Sequence, residues 1–385
     1  MAGGEDKSSL SAGRGRDEAA DHKPPPVVCR AELVRYARMA DVAYAAFAGE
    51  ENLPHLLVEG GVGDYVATTH LYATIDAVLK AFEVFPVLNG VDKPYWFGYV
   101  AVARRGGRRW DIAVAWRGSV TVADWMMNVH INLVPFKYGG GAAGKVAEGF
   151  YSVYTSSDPS KEHGELSARE QVVGEVLRLV DHFRRQDDHS SQKKKTDVRV
   201  TVTGHSLGGA LALMSAHDVA AKLAIAGHGD VPVHAVTFGS PHVGDMAFRG
   251  ALRGKHVGVV RVAVKQDVVP RLPMGDGYVE VGDRVVELDV DRSPLKLGSH
   301  NIDLYLHLIG LLRDCNEVSP AASGESSAPA DKKRKWPEMK EKSEHGYMRV
   351  PLSDLDKLEV TRFEADHDDQ NFPNCGHVSN DPCGN

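Results

Sequence analysis

Apolar positions change their spacing several times along the chain, and each change marks an element. From Cys29 they recur every three or four residues, at Leu33, Tyr36, Ala37, Ala40, Ala43, Tyr44 and Phe47. That is the period of an amphipathic helix. Two β-rich runs follow, Trp96–Val102 and Asp111–Trp116, separated by RRGGRR. They predict an antiparallel hairpin whose turn glycines supply positive φ. Residues 121–130 read as a short helix carrying Trp125, Met126 and Met127. A longer helix is expected from Ser167, where Ser167 and Glu170 form a capping box ahead of Val172, Val173, Val176, Leu177, Val180 and Phe183. Val198, Val200 and Val202 then alternate as a strand, and an Ala- and Leu-rich helix follows Gly208 and Gly209. Further strands are expected at 231–238 and 257–264, a hairpin over 278–288, and a helix from about Asn301 to Arg313. Helices alternating with apolar strands imply an α/β fold with a mostly parallel sheet covered on both faces.

One principal domain, 29–315, holds all of these elements. Residues 1–28 are polar, end in Pro24-Pro25-Pro26, and read as a disordered N-terminal arm. Residues 316–345 read as a flexible linker whose cluster Lys332-Lys333-Arg334-Lys335 is a solvated charge run. Residues 346–385 form a short C-terminal extension ending in an acidic tail, with five acids and no Lys or Arg in Glu364–Asn385.

Composition narrows the class without naming it. The 385 residues are 43% hydrophobic and 25% charged, ample for a large core and unlike a disordered or collagen-like chain. A net charge of −7 excludes nucleic acid as a partner on charge grounds. Four scattered cysteines, with no CxxC pair, favour a reducing compartment over a disulfide framework. The first 28 residues contain acids and no apolar stretch, unlike a secretory signal or an organellar transit peptide. The longest charge-free run, Val200–His217, is broken by Gly204, Gly208 and Gly209 and is not a membrane span. Cytoplasmic residence is the expectation.

The candidate chemistry begins with Gly204-His205-Ser206-Leu207-Gly208, which matches G-x-S-x-G between a valine strand and a small-residue helix. A serine on so sharp a turn has strained backbone angles, and glycines on either side leave no Cβ to collide with strand or helix. The helix N-terminus then points at a developing oxyanion, with the Leu207 amide as a donor. The acid and base should follow in the order Ser, Asp, His. Asp267 lies just past the strand 257–264, at a carboxyl end where α/β enzymes place their sites; Asp245, Asp276 and Asp283 have less suitable addresses. His300, at the entry to the last helix, is the base candidate. His307 on the same helix is the runner-up, and His242 and His205 are weaker choices. Trp116-Arg117-Gly118-Ser119 ends a strand, so the Ser119 amide is the candidate second oxyanion donor. The apolar segment after it is either core or a mobile flap that meets lipid.

These blocks together resemble the class 3 lipase family, and within it the plant phospholipases A1 of the cytosolic class II type. The resemblance covers 29–315 and rests on YARMADVAYAAF, WFGYVAVA, AWRGSVTVADWMMN, EGFYSVYTSSD, LSAREQVVGEVLRLV, VTVTGHSLGGALA, VTFGSPHVGD, DVVPRLP and HNIDLYLH. It implies an α/β-hydrolase fold with a short helical lid at Trp125, Met126 and Met127. It also implies Ser206 as nucleophile, Asp267 as acid, His300 as base, and the Ser119 and Leu207 amides as the oxyanion hole. The implied reaction is hydrolysis of the sn-1 acyl ester of a phospholipid at a membrane or micelle surface, with transient peripheral contact and no metal or cofactor. A neutral-lipid lipase or carboxylesterase, and a lipase-like signalling module, are the competing readings. The sequence carries no signature of oligomeric state.

Overall fold

The computed structural model describes residues 29–47, 53–74, 95–105, 109–119, 131–138, 141–185, 196–275, 277–290, 298–312 and 337–358. The strands are β1 (Val66–Ala73), β2 (Tyr95–Arg105), β3 (Arg109–Trp116), β4 (Leu133–Tyr138), β5 (Gly141–Ala147), β6 (Asp197–His205), β7 (Val233–Phe238), β8 (Gly258–Val264), β9 (Arg284–Leu288), β10 (Glu341–Lys342) and β11 (Met348–Arg349). Nine of them form one sheet in the order β10-β11-β1-β2-β3-β6-β7-β8-β9, while β4 and β5 pair separately. From β3 to β9 every pairing is parallel. From β3 outward through β2, β1, β11 and β10 every pairing is antiparallel. The hairpin expected from Trp96–Val102 and Asp111–Trp116 is the β2–β3 pair.

Alternation along the strands builds a core on each face of the sheet. In β3, Ile112, Val114 and Trp116 join one core, against the helices Ala168–Arg185 and Leu207–Ile225. Ala113 and Ala115 join the other, against the helix α1 (Arg30–Phe47) and the helix Ile302–Gly310. Small residues on that face, with Ala37, Ala40 and Ala43 opposite, let α1 lie close to the strands. Three hydroxyls fix it there: Tyr99 donates to the Met39 carbonyl, Thr203 to the Tyr36 carbonyl, and Tyr36 to Thr201 Oγ1 at 3.0 Å. The capping box forms as the spacing predicts. Ser167 Oγ and its amide both donate to Glu170 Oε2, at 2.6 and 2.8 Å, and the Glu170 amide returns a bond to Ser167 Oγ.

Two expectations need correction. Residues 278–288 do not form a hairpin. Only Arg284–Leu288 is a strand, and it pairs parallel with β8, while Val279 bridges to Gly244 instead. Asp283 directs the change: its amide donates to the Val259 carbonyl and its carboxylate accepts the Val259 amide, both at 3.0 Å. That fastens the chain along the open edge of β8. The boundary at 315 also fails to close the sheet. Residues 337–358, expected as linker and extension, supply β10 and β11, and Thr69 pairs with Arg349. Tyr347, Val350, Leu355 and Leu358 are buried, so this segment covers an edge that β1 would otherwise present to solvent. The arm 1–28, the helix expected at 121–130, the basic cluster 332–335 and the tail beyond 358 lie outside the described residues. Among the described residues no helix is long and apolar enough to cross a membrane.

Candidate active site

Ser206 alone separates the last residue of β6 from the first residue of the helix Leu207–Ile225. Its φ of 58° and ψ of −126° are a conformation that residues with a side chain rarely adopt. The fold enforces it. The Ser206 amide donates to the Phe238 carbonyl on neighbouring β7, and the Ser206 carbonyl accepts the Gly209 amide, each at 2.9 Å. Glycine is needed around it for lack of room: a Cβ at 204 would lie 2.3 Å from the Gly208 carbonyl, and one at 208 would lie 2.3 Å from the Trp116 carbonyl oxygen. Ser206 is fully buried and its Oγ has no hydrogen-bond partner. The Leu207 amide, first in its helix, has no intrahelical acceptor, and the positive end of the helix dipole faces the same space. A central sheet that is parallel from β3 to β9, helices on both faces and a serine on this strand–turn–helix corner together make the α/β-hydrolase fold.

The loop after β8 and the entry to the helix Ile302–Gly310 bring the other two candidates together. His300 Nδ1 donates to Asp267 Oδ2 at 2.6 Å. Asp267 is 1% exposed, and its carboxylate is fully engaged: Oδ2 also accepts the Tyr305 hydroxyl at 2.7 Å and Oδ1 accepts the Val269 amide at 2.9 Å. Because the carboxylate takes the Nδ1 proton, Nε2 is left as the basic nitrogen. That atom is buried without a partner, as is Ser206 Oγ, and no hydrogen bond links the two. Gly239, at φ 56°, makes the close packing possible, since a Cβ there would stand 3.0 Å from His300 Cε1 and 3.2 Å from Asp267 Oδ2.

Several of the rival residues have structural employment, and Asp276 lies outside the described residues. Asp245 caps the helix Met246–Gly254 through the Phe248 amide, and Asp283 holds the β8 edge. His242 Nδ1 faces the Pro273 carbonyl, and burial, with Arg261 second, lowers its proton affinity. His307 lies one and a half turns into the last helix, past the Asp267 contact. His205 bonds Tyr44 through Nδ1 at 2.8 Å. Ser119 follows β3, whose last residue, Trp116, is paired with Gly204. Its turn is therefore brought beside the elbow. Trp125, Met126 and Met127 lie outside the described residues. Tyr305 and Tyr44 are the residues that sequence reasoning passes over. The signal was a phenol on each of two otherwise apolar helix faces, where a buried hydroxyl needs a partner.

A serine on a sharp turn, an imidazole–carboxylate pair and a free helix N-terminus are groups that acyl transfer uses. Residues 113–277 match the lipase (class 3) family. An Arabidopsis thaliana protein, phospholipase A1-Igamma2, chloroplastic, is 34% identical over 80% of this chain; the chain spans 66% of that relative's length, just under two thirds. The Oryza sativa subsp. japonica phospholipase A1-II 4 is 35% identical, over 72% of this chain and 74% of its own. A Rhizomucor miehei lipase solved with its propeptide superimposes with a TM-score of 0.46 at 20% identity, covering 72% of this chain and 75% of that one. The chain belongs to the class 3 lipase family, alongside plant proteins named phospholipase A1.

Proposed function

We propose that this protein is a serine acylhydrolase that cleaves the sn-1 acyl ester of glycerophospholipids. One observation carries the chemistry: a buried His300–Asp267 pair whose Nε2 has no partner, beside an equally unpartnered serine on a positive-φ turn in the same fold. The relatives named phospholipase A1 support the substrate class.

In the reaction, His300 Nε2 takes the Ser206 proton as Oγ attacks the ester carbonyl. The tetrahedral oxyanion is held by the Leu207 and Ser119 amides. Asp267 keeps Nδ1–H directed and stabilises the imidazolium, which then protonates the departing lysophospholipid oxygen. Water, deprotonated by His300, releases the fatty acid from the acyl-enzyme. Every step uses side chains and amides of this chain. Access to a lipid surface would be through transient peripheral contact, with the segment carrying Trp125, Met126 and Met127 as the lid. Similarity to a class II relative supports assignment to the class II type, and the sparse cysteines support cytoplasmic residence. Cell fractionation of the full chain tests that placement, and recovery in plastids would replace it.

The deciding experiment is product analysis on phosphatidylcholine with distinct sn-1 and sn-2 chains. Wild type releases the sn-1 acid, and Ser206→Ala lowers the rate by about 10⁴-fold or more while its melting curve stays cooperative. Release of the sn-2 acid, preference for triacylglycerol, or an active Ser206→Ala protein would each replace this reading.

A further inference from the structure

A set of polar contacts converging on Gly118 has no part in the reaction just described. Tyr44, near the end of α1, places its hydroxyl 2.8 Å from His205 Nδ1. The Gly118 main chain, in the turn that leads to Ser119, packs against the same oxygen, and its N–H favours the phenolate form of Tyr44. A Cβ at Gly118 would lie 2.0 Å from that hydroxyl, 2.6 Å from the His205 carbonyl oxygen and 3.1 Å from Ser206 Cβ. The Gly118 main chain therefore rests on α1, on the end of β6 and on the elbow serine at once.

The other side of His205 meets the candidate base. The His205 and His300 ring centroids are 4.6 Å apart with planes tilted by 32°, and the Tyr305 ring stands edge-on to His205 at 5.7 Å. Burial, with His300 second, holds His205 well below the usual imidazole range. A neutral ring there bonds Tyr44 without placing a positive charge beside a histidine that must itself become charged. The nearer tie on this turn, from the Arg117 amide to the Phe97 carbonyl at 2.8 Å, fixes the residue before Gly118. Tyr44 meets the turn one residue further on, at Gly118.

We propose that Tyr44 and His205 form one positioning unit that holds the Gly118–Ser119 turn, and with it the second oxyanion donor, against the nucleophile and base. The inference rests on the triad reading above. Removing the Tyr44 hydroxyl takes the partner from His205 Nδ1 and the polar contact from the Gly118 main chain, so the turn loses the group it rests on. An oxyanion exists only along the reaction path, so the loss falls on kcat rather than on KM.

Steady-state kinetics on a water-soluble p-nitrophenyl ester test this with Tyr44→Phe, His205→Leu, His205→Asn and the double variant Tyr44→Phe/His205→Leu. Ser206→Ala is the control, and melting curves report folding. Tyr44→Phe and His205→Leu are expected to lower kcat roughly 10- to 100-fold with KM within about twofold. The double variant should be no worse than about threefold below the weaker single one, because both remove the same bond. Asn offers an acceptor at the position of Nδ1, so His205→Asn should recover most of the rate. Wild-type kcat in either folded single variant, a rise in KM alone, or multiplicative losses in the double variant would overturn the unit. Wild-type activity in Ser206→Ala would overturn the triad reading instead, and the two failures are read from different proteins.

Discussion

Strands β3 and β6 run side by side from Arg109 and Asp197 to Trp116 and Gly204, and their two ends treat polar groups in opposite ways. At the amino end, Asp111 is fully buried and both its oxygens are bonded. Oδ2 accepts Arg199 at 3.0 Å and the Tyr65 hydroxyl at 2.6 Å, and Oδ1 accepts Arg199 Nε at 3.4 Å. Arg199 in turn reaches Glu32 of α1 at 2.7 Å. At the carboxyl end, seven residues or about 23 Å further along β6, the Ser206 Oγ, His205 Nε2 and His300 Nε2 atoms are buried without partners. Proteins pair nearly all their buried polar atoms. Unpaired ones at the carboxyl end fit the proposed site, where a substrate would supply the partners, whereas the paired cluster ties α1 to the sheet.

If that division is real, changes at the two ends should separate activity from stability. The largest effect is expected from Asp267→Asn, which keeps the shape and removes the charge that orients His300. We expect kcat to fall by about 10⁴-fold with a cooperative melting transition retained. A loss below about tenfold would remove Asp267 from the triad. Next comes Asp111→Ala at the opposite end. It leaves Arg199 and part of the Arg105 interaction without their shared carboxylate, and buried charges stripped of a partner cost about 3–5 kcal/mol. Urea unfolding should show that cost, while kcat per folded molecule stays within about twofold. A matching loss of kcat would mean the ends are not independent.

The carboxyl end was the more legible of the two in the sequence, for a physical reason. The strand–turn–helix corner is local: Val198, Val200 and Val202 alternate, and Gly204, Gly208 and Gly209 are forced by contacts within a few residues or with adjacent strands. Asp267 and His300 are also ordered along the chain, and the structure brings them into contact. Beyond the β2–β3 hairpin, the antiparallel flank was not legible. Thr69 pairs with Arg349, far apart in the sequence, and the two-residue strands β10 and β11 have no periodicity to read. The segment 278–288 had hairpin alternation, but β8 offered a better partner than its own first half. Tyr44 and Tyr305 had helical addresses only, and their roles depend on loops distant in sequence.

Acid should act on the paired end in a defined window. Burial raises the proton affinity of Asp111, but the Arg199 charge and its hydrogen bond outweigh burial and hold the carboxyl at about 2, against an ordinary 3.8. A lowered carboxylate contributes stability that is complete above the unfolded value and is lost as pH falls through the folded value. The window is therefore pH 3.8 down to about 2, and the shift corresponds to about 2 kcal/mol. Urea midpoints measured across that range should fall more steeply for wild type than for Asp111→Asn. Parallel slopes would show that the Arg199 pairing carries no differential proton binding.

The finest test uses one helix. Tyr36 and Tyr44 are eight residues apart on α1, a little over two turns, and both carry hydroxyls bonded to β6: Tyr36 to Thr201 Oγ1, Tyr44 to His205 Nδ1. Tyr36 lies toward the paired end and its bond is wholly buried. Removing its hydroxyl should cost about 1 kcal/mol of stability, the ordinary net value of such a bond, and leave kcat unchanged. Tyr44→Phe makes the same chemical change about 12 Å further along the helix. There it should act on kcat, because its bond supports a turn that carries a proposed oxyanion donor. Comparing the two variants by urea unfolding and by turnover sets equal deletions against each other. If both lower stability and spare kcat, Tyr44 belongs with Asp111 in tying α1 to the sheet, and the reserve of unpaired polar groups is confined to the triad.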